Sequence, residues 1–149
     1  MSEHKITLKW DRESEDFAYK TYNREHSVSF KNGKTIELSA AAEFLGKPSF
    51  IDPEEMFVAA YASCHMLTFL AIAAKSRIIV DSYEDSAVGY LEKNAQGKLA
   101  ITRIELFPKI SFEGETPSAE KLAELHRLSH DECFIANSST VAGSVHPQS

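Results

Sequence analysis

The chain predicts an α+β fold, and three observations carry that prediction. From Met56 to Ala74 there is no Lys, Arg, Asp or Glu, and apolar side chains fall on every face of a helix drawn through the run. Segments alternating apolar and polar residues flank it on both sides, the period of half-buried strands. A second, amphipathic helix follows late in the chain. The order that results is β-β-β-α-β-β-α-β, with strands segregated from few helices, in a single domain over residues 1–149.

The elements follow from local patterns. Lys5 to Trp10 alternates through Ile6, Leu8 and Trp10, and charged residues Asp11 to Asp16 form a loop. Phe17 to Lys31 alternates again, Asn32-Gly33 signals a type I′ hairpin, and Thr35 to Ala40 is the returning strand. Gly46-Lys47-Pro48-Ser49 breaks the chain before the central helix. That helix starts with Asp52 as a cap, Pro53 in the first helical position and Glu55 completing an Asp-x-x-Glu box. Beyond it, Ile78 to Asn94 and Leu99 to Glu113 read as two long strands of an antiparallel hairpin, turned at Gly97. Thr116-Pro117-Ser118 opens the second helix, which runs to about Cys133 with Leu122, Leu125 and Leu128 as its apolar stripe. A last short strand lies around Thr140 to Val145.

Composition narrows the function. A 43% hydrophobic, 26% charged chain can build an ordinary core. The net charge of −6, without any basic run, excludes a nucleic-acid binder, which needs clustered Lys and Arg. The N-terminal MSEHKITLKWD lacks the basic-then-apolar layout of a secretion signal, so a cytoplasmic location is expected. The charge-free run approaches the length of a membrane span. It nevertheless contains Tyr61, Ser63, Cys64, His65 and Thr68 and stands alone between strands, so it reads as a buried central helix with no membrane partner. A helix of about 24 residues is ~36 Å long, more than one small sheet covers. Burial between the two chains of a homodimer is therefore expected.

Two cysteines are the candidates to carry chemistry. Cys64 sits mid-helix among apolar residues, where the helix dipole does not lower a thiol pKa. A free thiol, at about 8.5, is only a few per cent thiolate at pH 7, so a reactive Cys64 requires a cation from elsewhere. Cys133 ends the second helix, and spacing alone leaves open whether it reaches Cys64. If it does, one thiol can attack a peroxide and the other can resolve the sulfenic acid as a disulfide. The plain alternative is a pair of small buried side chains. His126, His130 and Cys133 share one helical face and His65 adjoins Cys64, a conceivable soft-metal set. No Cys-x-x-Cys pair anchors it, and no metal or other cofactor is expected. Trp10, Phe17, Tyr19, Phe57, Tyr61 and Phe69 are core candidates, some of them candidates to line a pocket for an apolar peroxide tail.

The run DPEEMFVAAYASCHMLTFLAIAAK resembles the central-helix signature of the OsmC/Ohr family, the osmotically inducible and organic-hydroperoxide-resistance proteins. Pro53-Glu54, a ten-residue step and Ser63-Cys64 match its pattern, and the resemblance extends over the β-rich flanks, the second helix and Cys133. It implies an OsmC-like fold as an intertwined homodimer, with long central helices wrapped by sheets and active sites at the interface. It also implies a thiol-dependent peroxidase that reduces hydroperoxides, organic ones in preference to H2O2, in oxidative-stress defence, recycled by an external dithiol reductant. Carried over by position, Cys64 is the peroxidatic thiol, Cys133 the resolving thiol and Glu54 the acid that holds an arginine. Arg24 fits that arginine best, with Arg12 and Arg77 as rivals. Where peroxidase members commonly have Cys-Pro, this chain has Cys133-Phe134. The alternative of a different class is a non-catalytic small-molecule-binding or stress-response protein of the same fold.

Overall fold

The central helix starts as its sequence requires. The Asp52 N–H donates to Glu55 Oε2 at 3.1 Å and the Glu55 N–H donates to Asp52 Oδ1 at 2.8 Å. This reciprocal box satisfies two of the donors that a helix start leaves free. The helix, α1, runs Pro53–Lys75 in the computed structural model, which describes residues 1–149. The chain gathers into two compact units, Met1–Met56 and Phe57–Ser149.

The N-terminal unit carries one antiparallel sheet in the order β1 (Ile6–Lys9), β2 (His26–Phe30), β3 (Thr35–Leu38). Its hairpin differs from the expected type I′ turn. Ser29 pairs with Thr35, the Phe30 N–H donates to the Lys34 carbonyl and the Gly33 N–H donates to the Phe30 carbonyl. The loop is thus Lys31 to Gly33, and only Gly33 has a positive φ, 81°. A three-residue loop needs a single left-handed residue, and glycine takes that conformation without a Cβ clash. The strand expected from Phe17 shrinks to His26–Phe30. Between Phe17 and Glu25 the backbone turns instead, with Thr21 and Tyr22 N–H groups on the Ala18 carbonyl and the Arg24 side chain on two further carbonyls. Those local bonds replace a ladder.

The C-terminal unit holds β4 (Val80–Asp85), β5 (Val88–Lys93), β6 (Leu99–Leu106), β7 (Pro108–Phe112), α2 (Ala119–Glu132), α3 (Phe134–Asn137) and β8 (Ala142–Val145). The two long strands expected here do pair antiparallel, but each breaks in the middle. β4 pairs with β7, while β5, β6 and β8 form a second sheet with β8 parallel to β6. The corner is chemical: Pro108 has no N–H to offer a ladder, and the Phe107 N–H is taken by Asp85 Oδ1 at 2.7 Å.

Within this unit α1 buries a single stripe, Tyr61, His65, Phe69 and Ala73, spaced by four. Tyr61 packs with Ile104 and Leu106 of β6, and Phe69 and Ala73 pack with Leu125 of α2. One helix face therefore lies on both sheets. The other faces of α1 are apolar yet only partly covered, and Leu67 is 60% exposed. The helix also meets the length and mean hydropathy, 1.7, of a membrane span, although its buried stripe is that of a core helix.

Phe69 is fully buried. Phe69→Ala is expected to lower unfolding free energy by about 3–5 kcal/mol in urea titrations at fixed protein concentration.

Candidate active site

Both thiols lie in the C-terminal unit, where α1 meets α2. Cys64 is half-buried on α1 and Cys133 is fully buried. Cys133 does two backbone jobs at once, closing α2 and capping α3, where its Sγ accepts the Ala136 N–H at 3.5 Å. Both sulfurs are free thiols. They are neighbours. Burial pushes the Cys133 thiol up from its ordinary pKa, the Ala136 N–H opposes this, and a hydrogen bond and charge from Cys64 push it further up. Phe134, next in the chain, projects into solvent, while Cys133 itself is enclosed.

Two further cross-helix pairs flank the thiols. Tyr61, one turn before Cys64, places its hydroxyl 3.3 Å from Nδ1 of His130, one turn before Cys133. His65, next to Cys64, places Nε2 3.0 Å from Nδ1 of His126, with the rings nearly parallel. β8 passes so close to the tyrosine that a Cβ on Gly143 would stand 1.9 Å from its hydroxyl. Glycine is required there by contact rather than by backbone angle. Burial is the main cause that lowers both His65 and His126 to about 4, so both rings are neutral at pH 7. The helical spacing that suggested a soft-metal set instead directs the rings of His126 and His130 to different partners on α1. No three His, Cys, Asp or Glu side chains converge where an ion would sit.

Arg24 and Glu54 belong to the N-terminal unit. Arg24 precedes β2 instead of lying on a strand, and it is 9% exposed. Its guanidinium donates to the carbonyls of Tyr22 at 2.8 Å and Tyr19 at 2.7 Å and stacks 4.0 Å over the Tyr22 ring. No carboxylate lies within ion-pair distance of it, Glu54 included, while Glu54 Oε2 is buried without a hydrogen-bond partner. The rivals differ. Arg12 is exposed and binds the carbonyls of Ser14 and Glu15, and Arg77 is exposed just past the end of α1. Arg24 is the buried guanidinium of the three.

A family model for OsmC-like proteins matches residues 46–145. The chain belongs to the OsmC-like family. An OsmC-like protein of unknown function from Vibrio cholerae O1 biovar eltor is 43% identical, with a TM-score of 0.93 over 99% of this chain and 100% of that one. An organic hydroperoxide resistance protein from Elizabethkingia anophelis shares the fold at 16% identity, TM-score 0.76, over 99% and 96% of the two chains. The organic hydroperoxide resistance protein OhrB of Bacillus subtilis does so at 19% identity, TM-score 0.70, over 99% and 98%. No curated protein sequence matches the chain.

Sequence reasoning gave no role to the His65–His126 pair or to the Tyr61–His130 pair. Spacing places 126 and 130 on one face of α2, and 61 and 65 on one face of α1. Nothing in the chain says that these faces meet.

The neutral histidines make stability depend on pH. Unfolded, each ring takes a proton near 6.5; folded, only near 4. Between those values the unfolded state binds more protons, so stability is complete above about pH 6.5 and falls as pH drops toward 4. The double variant His65→Leu/His126→Phe, which leaves neither ring unpaired, is expected to flatten that slope in urea titrations across pH 4–7.

Proposed function

We propose that this OsmC-like protein is a thiol peroxidase acting on organic hydroperoxides. The observation that supports it is the adjacency of a half-buried thiol, Cys64, to a fully buried one, Cys133, across two helices. Two thiols so placed can take up the two-electron oxidation by one hydroperoxide in sequence and store it as a disulfide. The hydroperoxide-resistance proteins that share the fold support the same reading.

In the proposed cycle Cys64 attacks the terminal peroxide oxygen as thiolate. The S–O bond forms, the O–O bond breaks, and the alkoxide leaves with the bonding pair and a proton as an alcohol. Cys133 then attacks the sulfur of the Cys64 sulfenic acid; the S–S bond forms and hydroxide departs as water with the Cys133 proton. A resolving thiol held protonated at rest suits this order, since its proton is needed only at the second step. An external dithiol attacks the disulfide and returns both thiols. Arg24 takes the role of polarising the peroxide, with Glu54 holding it. An arginine without a carboxylate and a buried carboxylate oxygen without a donor are complementary vacancies.

The working form is a homodimer in this reading. α1 presents apolar side chains, Leu67 among them, that its own chain does not cover, and a second copy would bury them. A reducing cytoplasm, where free thiols persist, fits the chemistry.

Stopped-flow measurements with cumene hydroperoxide test the cycle. Wild type is expected to lose two thiols per chain for one equivalent of peroxide, and Cys64→Ser to consume none. Cys133→Ser is expected to stop after one turnover with a sulfenic acid that dimedone traps. Arg24→Met is expected to slow the first step about 10- to 100-fold, the worth of a charge-assisted hydrogen bond. Equal consumption by wild type and Cys64→Ser would overturn the proposal. Sedimentation is expected to show a dimer that Leu67→Glu dissociates.

A further inference from the structure

The ring of His126 is only 3% exposed, yet one of its two nitrogens has no protein partner. Nδ1 lies 3.0 Å from Nε2 of His65 on α1, while Nε2 is buried and unbonded. The two ring nitrogens face apart, so Nε2 is turned away from α1. Away from α1, the C-terminal unit encloses a cavity of about 570 Å³ that His126 lines and that no α1 residue does. That volume falls within the roughly 300–1,000 Å³ of ordinary small-molecule sites.

The inner walls of the cavity are apolar, from Pro108, Ile110 and Phe112 of β7 and Leu122 of α2. Pro147 closes the far side. It is seated there because the His146 N–H donates to the Leu106 carbonyl and the Gln148 N–H to the Pro108 carbonyl, each at 2.8 Å. The polar side chains of the remaining wall have other claims on them. The hydroxyls of Ser82 and Ser111 lie 2.5 Å apart and satisfy one another, and Glu84 and Lys109 are exposed to water. His126 Nε2 is the buried side-chain atom of these walls that still lacks a partner. A smaller hollow of about 300 Å³ shares His126 and Pro147, but the charged Arg127 side chain lines it.

We propose that the larger cavity binds a small phenol, with its hydroxyl on Nε2 of His126 and its ring against Phe112 and Leu122. A ligand without a polar atom would leave Nε2 unbonded, and a carboxylate would give up its water for a single neutral nitrogen. Burial holds the imidazole uncharged at pH 7, so Nε2 is free to accept. A phenol O–H is a better donor than an aliphatic one, and its flat ring can meet Phe112 edge-to-face. When Nε2 accepts, the ring proton sits on Nδ1 and is donated to His65 Nε2, so occupancy reaches the next imidazole. The site goes beyond the peroxidase reading and does not depend on it.

Long-range 1H–15N spectra of the full-length protein, labelled with 15N at histidine, read the bonding of each ring nitrogen. The probes are 4-methylphenol, p-xylene (the same shape without the oxygen) and 4-methylbenzoate, with affinities taken from the His126 signals themselves. The phenol is expected to give a saturable shift of His126 Nε2 that carries over to His65. It is expected to bind about two- to tenfold more tightly than p-xylene, the worth of one neutral hydrogen bond. Thr116 is an exposed residue of the cavity wall, and Thr116→Trp, which fills the space without touching the core, is expected to abolish the shift. No saturable shift at His126, equal or tighter binding of p-xylene or 4-methylbenzoate, or an undiminished shift in Thr116→Trp would overturn the proposal.

Discussion

A long helix without a polar face is the constraint on which the rest of this structure depends. Water cannot solvate α1 on any side at low cost, so every neighbouring element is disposed to cover it. In the C-terminal unit one stripe of the helix lies on two sheets and on α2. That cover brings the last turns of α2 against the middle of α1, and with them the second thiol against the first. The adjacency of the two thiols is a by-product of packing: each sulfur occupies a position that an apolar side chain of similar size would otherwise fill.

The same burial decides which polar groups survive between the helices. Imidazoles in such a place lose most of their affinity for protons, as His65 and His126 do. As neutral rings they hydrogen-bond one another and stack, and they join Phe69 in the core, whose ring lies 4.6 Å from that of His126. Tyr61 adds a third link between the helices through His130, under a strand that glycine lets approach. Polar contacts of this kind fix the register of α2 on α1 more narrowly than leucines would, since each has one acceptable partner. Register matters here because sliding either helix by one turn would separate the sulfurs.

The N-terminal unit solves a different problem. It holds a guanidinium nearly out of water without a carboxylate, using two backbone carbonyls and the face of a tyrosine. Segment Phe17–Glu25 gives up its strand to do so. Regular alternation predicts a ladder only where no side chain competes for the backbone, and Arg24 competes successfully here.

Much was legible in the chain itself. The charge-free run and its Asp52–Glu55 box determined α1 and its starting point, because capping and amphipathicity are set by residues within a few positions of one another. The strand segments, Ser118 at the head of α2 and the family pattern at Pro53-Glu54 and Ser63-Cys64 were local in the same sense. Tertiary structure alone decided that Ile78–Asn94 and Leu99–Glu113 each divide between two sheets, that β8 runs parallel to β6, and that Cys133 stands beside Cys64. It also decided that Arg24 is buried while Arg12 and Arg77 are not. The physical reason is range. Helix period and capping act over a few residues, whereas a sulfur's neighbour sixty-nine positions away, or the burial of one arginine among several, depends on which surfaces the whole chain finds to cover its apolar helix.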